Sequence, residues 1–219
     1  MQGAEDLALA FENYAKHGNI RALANNTSPF KGKIQIRLLK VEAEVGLDGK
    51  KRPAMVAGPG GEKRPRMATP TPASTTISMH LGDFFQIEIV NKSDRNLNFA
   101  LLALDTDGGV QLLTSRGVGH EVQPNKPYRT PIVYVLNPPA GLTTYKVIAY
   151  LHPKDQEWSP DFGVLELPGV PPEERTKNLL DPLSWLVNTA ATGTRNTDAA
   201  PMGIPASWTV AQVSVLAAQ

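Results

Sequence analysis

A chain of 219 residues with no cysteine and a formal net charge of +1 excludes disulfides, thiolate metal sites and cysteine nucleophiles. It also lacks a global field that would draw it to nucleic acid or to an acidic membrane surface. The length allows one domain with extensions or two small ones, enough to bury a core without covalent staples.

The start, MQGAEDLALAFENYAKHG, is acidic where a signal peptide is basic and has no long apolar core. No apolar run approaches the ~20 residues of a membrane-spanning helix, so a soluble, cytoplasmic chain without a membrane span is the expectation. Residues 1–30 read as a helical segment. Leu7, Phe11 and Tyr14 fall at i, i+4 and i+7 on one apolar stripe, Glu5 and Asp6 favour the helix start, and His17-Gly18 reads as its stop, with NIRALANN readable as a second short turn of helix. So short a helix needs a surface to pack on. That surface is either its own module or a partner, which makes Leu7, Phe11 and Tyr14 candidate partner-facing residues.

Residues 31–219 read as one β-sandwich module. Ile34, Ile36 and Leu38 alternate with Gln35 and Arg37, the pattern of a half-buried strand. Residues 46–75 are dense in proline, glycine and basic side chains, show neither strand nor helix period, and are expected to form a flexible insertion. Their basic residues, Lys50, Lys51, Arg52, Lys63, Arg64 and Arg66, are candidates for an acidic contact. Prolines interrupt them and no aromatic is interleaved for base stacking, so a solvated loop and no nucleic-acid partner are expected. No internal repeat of regular period is apparent.

From Thr76 short strands follow one another. DFFQIEIVN sets Phe85, Ile87 and Ile89 on one face and Gln86 and Glu88 on the other; LNFALLAL, VQLLT, IVYVL and TYKVIAYL come next. Short strands with turn signals at this spacing predict a mainly β chain, an antiparallel β-sandwich of the Ig-like kind. A short helix is predicted over Asp181–Gly193, with Asp181 as N-cap and Pro182 at the first helical position. A last strand alternates Ala211, Val213 and Val215.

Little in the chain carries chemistry. Asp105 and Asp107 in DTDGG could open a calcium loop, but such a loop spreads oxygen ligands over twelve residues and ends in a bidentate glutamate. GGVQLLTSR supplies neither, and strand-like flanks around Asp-Gly-Gly read as a hairpin turn. His17, His80, His120 and His152 include no pair at zinc spacing. No nucleophile elbow, zincin motif, phosphate-binding loop or dinucleotide fingerprint is present. Trp158, Phe162, Trp185 and Trp208 read as core and edge packing. No catalytic, cofactor-binding or metal-ligating residue is assigned, no cofactor is implied, and a non-catalytic chain is expected.

The order of segments, FENYAKHGNIRALANN, LGDFFQIEIVNKSDRNLNFALLALDTDGGVQLL, YKVIAYL, FGVLELPG, DPLSWLV and WTVAQVSVL, resembles the accessory region that follows the catalytic domain in bacterial caspase-like proteases. The resemblance rests on Leu81-Gly82-Asp83 opening a strand, on a strand pair around Asp105-Thr106-Asp107-Gly108, and on Lys146-Val147-Ile148-Ala149 in a late strand. It covers the chain from about Phe11 onward. It implies a β-sandwich-like domain of unknown function, a type also attached to other bacterial signalling and envelope proteins. It further implies a caspase-like catalytic domain as protein partner, in cis or in trans. The family's catalytic His/Cys dyad has no counterpart, since this chain lacks cysteine. The expected function is a non-catalytic interaction or regulatory module, which would position substrate, hold a partner or restrain the protease. The alternative is a free-standing structural or ligand-binding β-sandwich of the cell envelope.

Overall fold

The computed structural model describes residues 14–68, 76–114, 120–137, 140–151, 162–166 and 208–218. Helix α1 spans 14–22. The strands are β1 (Ile34–Val41), β2 (Ala43–Val45), β3 (Lys51–Pro53), β4 (Met55–Ala57), β5 (Lys63–Pro65), β6 (Thr76–His80), β7 (Phe84–Asn91), β8 (Leu97–Leu104), β9 (Val110–Leu112), β10 (His120–Val122), β11 (Tyr128–Arg129), β12 (Tyr134–Val135), β13 (Gly141–Tyr150) and β14 (Trp208–Ala218). A 3-10 turn, Phe162–Leu165, lies between the last two.

One sheet runs β1-β7-β11, with β12 also on β7, and the other runs β10-β8-β13-β14-β6, with β9 on β8. Pairing is antiparallel except for β14 with β6. The predicted mainly β, antiparallel chain is therefore observed. Period-two alternation puts Phe85, Ile87 and Ile89 on the inner face of β7, each without exposed surface. There they meet Phe99 and Leu101 of β8, Val147 of β13 and Val215 of β14 in one core shared by both sheets.

The larger sheet is apolar on its other face too. Ala100, Leu102 and Leu104 of β8, Ile148 and Tyr150 of β13, and Trp208 pack against Ile20 and Leu23, and against Phe162 and Leu165 of the 3-10 turn. A strand covered on both faces reads as a continuous apolar run, which is why LNFALLAL shows no alternation. Phe162 and Trp208 are thus core residues, as read from the sequence; Trp158 and Trp185 lie outside the described residues.

Two expectations need correction. Helix α1 does not stop at His17-Gly18 but continues unbroken to residue 22, into the stretch read as a second short turn, and a lysine from β13 donates to its last carbonyls (below). Gln86 and Glu88 lie on the opposite face of β7 from Phe85, as alternation requires, and are buried there as well. Gln86 donates to the Thr130 carbonyl at 2.9 Å, and Glu88 lies between Arg129 at 3.0 Å and Arg37 at 3.6 Å. The segment 46–75, expected to lack regular structure, contains β3, β4 and β5; its residues 69–75 lie outside the described residues, as does the helix expected over 181–193.

Candidate functional site

The basic segment forms an arm of two hairpins, and the arm is a repeat that the sequence reading missed. Gly46-Leu-Asp-Gly-Lys-Lys-Arg-Pro-Ala-Met55 and Gly58-Pro-Gly-Gly-Glu-Lys-Arg-Pro-Arg-Met67 match as G-x-x-G-x-K-R-P-x-M. β2 pairs with β3 and β4 with β5 in the same register, Glu44 opposite Arg52 and Val56 opposite Arg64. At the base three main-chain bonds close a ring: Glu42 N–H to Arg66 O, Ala54 N–H to Glu42 O, and Arg66 N–H to Ala54 O, at 2.8–2.9 Å. Ala54 is buried at this junction, where a larger side chain would have no room.

The six basic residues separate by role. Arg52 pairs with Asp48 at 2.8 Å and Arg66 with Glu42 at 3.3 Å, so these two brace the arm. Lys50, Lys51, Lys63 and Arg64 are exposed and have no ion pair among the described residues. Val45, Leu47 and Met55 are exposed beside them, Leu47 completely.

The amino-terminal stripe divides as well. Lys16, Ile20 and Leu23, at i, i+4 and i+7, are the buried face, and α1 therefore packs on its own sheet. Tyr14 lies two residues, about 200°, from Lys16 and is 59% exposed, while Leu7 and Phe11 lie outside the described residues. The carboxyl end of α1 is held by Lys146. Its Nζ donates to the carbonyls of Ile20, Arg21 and Leu23 at 2.9, 2.8 and 2.6 Å, groups a helix end leaves without intrahelical partners. Burial pulls this ammonium down to about 8, whereas the three carbonyls and the helix dipole favour the charged form. The geometry is that of a retained proton.

The DTDGG stretch is the predicted hairpin. β8 pairs with β9 through Leu104 and Val110. Asp105 N–H bonds to Gly109 O, Gly108 N–H bonds to Asp105 O, and Gly108 takes φ +87°, where a Cβ is costly. Asp107 Oδ1 accepts the Gly109 N–H at 3.0 Å. No group of three acidic or histidine side chains able to hold a metal occurs among the described residues.

Beside this turn, between the two sheets, lies a cavity of about 380 Å³, lined among others by Asp105, Asp107, Gln111, Tyr134, Thr143 and Tyr145. Behind the lining, Phe85 is stacked on Tyr134 at 5.7 Å and edge-on to Tyr145 at 5.4 Å. Burial, then the neighbouring Asp107, raises the Asp105 carboxyl above its usual range, against a smaller pull from His17. Burial first, then Asp105, raises the Tyr145 hydroxyl. His17 rests against the turn with the Asp105 main chain as hydrogen-bond partner, and burial and Arg21 hold it below the usual imidazole range. The other described histidines stay apart. His120 begins β10, with its ring 5.8 Å from Phe99, and His80 is exposed at the end of β6.

No side chain of this cavity was assigned from the sequence. Asp105 was read only as a turn residue, and Tyr134 and Tyr145 lie in separate strands, joined here only because both sheets meet at Phe85. No helix among the described residues is long and apolar enough to cross a membrane. Comparison of the chain with family models, curated proteins and solved structures gives no match.

Proposed function

We propose that this chain is a non-catalytic interaction module, an immunoglobulin-like sandwich that serves a bacterial caspase-like protease in cis or in trans by positioning substrate, holding a partner or restraining the enzyme. The strand order supports the sandwich. β1, β7 and β11/β12 take the places of strands A, B and E, and β8, β13 and β14 those of C, F and G, with the arm inserted where strand A passes to the second sheet as β6. The residues that carry the resemblance lie in two turns and one strand of the sheets. Leu81-Gly82-Asp83 is the turn into β7, with the Asp83 carboxylate accepting from His80 N–H and from Lys40 at 2.7 Å. Asp105–Gly108 turns β8 into β9, and Lys146–Ala149 lies in β13.

The observation that carries the reading is the arm. It presents exposed apolar side chains beside cations that have no ion pair among the described residues, on an arm braced by two ion pairs, and an apolar patch with a polar rim is the layout of a protein contact. The test is binding to a bacterial caspase-like catalytic domain, by calorimetry. Leu47→Ser with Lys51→Glu and Arg64→Glu changes exposed positions, where fold stability moves by about 0.5 kcal/mol or less. An affinity loss of about tenfold or more supports the proposal; absence of binding by the parent, or unchanged binding by the variant, rejects it. The cavity favours a second reading, a free-standing ligand-binding sandwich of the cell envelope, which small-ligand binding in the absence of any protein contact would select.

A further inference from the structure

The cavity beside the 105–109 turn has two carboxylates in its lining and no lysine, arginine or histidine. The Asp105 carboxylate has neither an ion pair nor a hydrogen-bond donor among the described residues, while Asp107 already accepts from Gly109. Tyr145 supplies an independent sign. Its side chain is 6% exposed, it lines the cavity, and its hydroxyl has no hydrogen-bond partner among the described residues. A buried tyrosine ordinarily places its hydroxyl on a partner; here none stands within hydrogen-bond distance among the described residues, and Asp105 is the charged group that acts on it.

We propose that this cavity binds an organic cation, an ammonium or guanidinium group on a short stem, with Asp105 as counter-ion, the Tyr145 hydroxyl as hydrogen-bond acceptor and the Tyr134 ring as an aromatic wall. The volume suits one small organic group. A bare metal ion fits poorly, since calcium takes six to eight oxygen ligands and one of the two carboxylates is committed to its own turn. An anion would meet uncompensated carboxylates. A ring within about 6 Å attracts a cation, most strongly where water is displaced. This inference goes beyond the interaction-module reading and rests on none of the arm's residues.

The experiment titrates the full chain at neutral pH with n-butylamine and n-butylguanidine, following chemical shifts of the Asp105–Gln111 amides. n-Butanol and butyrate serve as neutral and anionic controls of the same size. Saturable shifts are expected for the cations, with Kd on the order of 1 mM, and weaker or no binding for the controls. Asp105→Asn should weaken binding about tenfold or more, and Tyr145→Phe, which keeps the ring and loses only the hydroxyl, severalfold. A lysine or arginine blocked at both ends, added as a third probe, separates the sources. Tighter binding than the free amine assigns the cation to a partner's side chain, and weaker binding assigns it to a free small molecule. No saturable shift with any cation, butanol binding equally well, or unchanged affinity in folded Tyr145→Phe overturns the proposal, whether or not Asp105→Asn folds.

Discussion

The turn at 105–109 and the arm turns at 46–50 and 58–62 close with the same pair of main-chain bonds. The first residue donates to the fifth and the fourth to the first, with glycine at the fourth place at φ +87°, +74° and +82°. Their surroundings differ. The arm turns touch chiefly themselves, through Asp48 on Arg52 and Glu62 on the Gly60 N–H. The 105–109 turn is gripped from two sides: the Tyr14 ring lies over Gly108, and Thr106 presses on Gly141. Local sequence sets the backbone of all three; tertiary neighbours make one of them the wall of a cavity and leave the others at the end of an arm.

Adding a single methyl group breaks the comparison most severely at Gly141. Its φ is +150°, a region essentially closed to other residues, and a Cβ there would overlap the Thr106 side chain. Gly141→Ala should cost about 3 kcal/mol, combining backbone strain with overpacking, and should shift the Asp105–Gly109 amides. Gly49→Ala serves as reference, since nothing stands within 4 Å of the added methyl. It should cost about 1–2 kcal/mol of left-handed strain, confined to the arm. Equal losses by urea denaturation would show that the 105–109 turn is no more constrained than its free counterparts.

Lys146→Met tests the grip one step further back. Tyr14 and His17 reach the turn on α1, and Lys146 donates to the last carbonyls of α1. Methionine keeps most of the volume and leaves those carbonyls without their donor. The expected loss is about 2 kcal/mol, one buried set of unsatisfied acceptors partly offset by relief from burying a charge. Amide exchange should accelerate first in residues 14–22 while the arm amides stay unchanged. Unaltered protection of α1 would mean that its carboxyl end is held by packing of Ile20 and Leu23 alone.

Much of this frame was legible in the sequence. Phe85-x-Ile87-x-Ile89 announced its buried face, and Asp-Gly-Gly between strand-like flanks announced a hairpin. The arm was hidden because its strands are three residues long and carry Lys-Arg-Pro, which gives neither apolar alternation nor β-branched enrichment; comparing the segment with itself at a spacing of twelve would have found it. Lys146 was hidden because alternation sends it away from the Tyr145–Val147 face, and only the cover supplied by α1 makes that second face an interior. The apolar doubling of LNFALLAL was the available sign that such a cover exists. The end of α1 could not be read locally, since its cap comes from a strand 123 residues or more along the chain. The cavity was beyond reach for the same reason, being assembled from β8–β9, β12 and β13.

The smallest expected effect sharpens the comparison by pH. His17 is held below 6.5 in the folded chain, so the unfolded state binds its proton first as pH falls. Stability is therefore highest with His17 neutral and declines as pH falls from just above 6.5 through the lowered folded value, until both states are protonated. Asp105, raised above 3.8, acts oppositely and lower: the folded state takes its proton first, and stability recovers as pH passes from its folded value toward 3.8. Asp83 follows last. Burial alone would raise it, but the bonds from Lys40 and from the His80 N–H leave it lowered, so its contribution is lost as pH falls through that lowered value. Urea denaturation across this range should show a shallow fall, a partial recovery and a final fall. His17→Gln should remove the first feature alone and Asp105→Asn the second. A His17→Gln profile parallel to that of the parent around pH 6.5 and below it, down to where Asp105 takes its proton, would detach His17 from the turn, and with it the electrostatic half of the grip that separates this hairpin from the two in the arm.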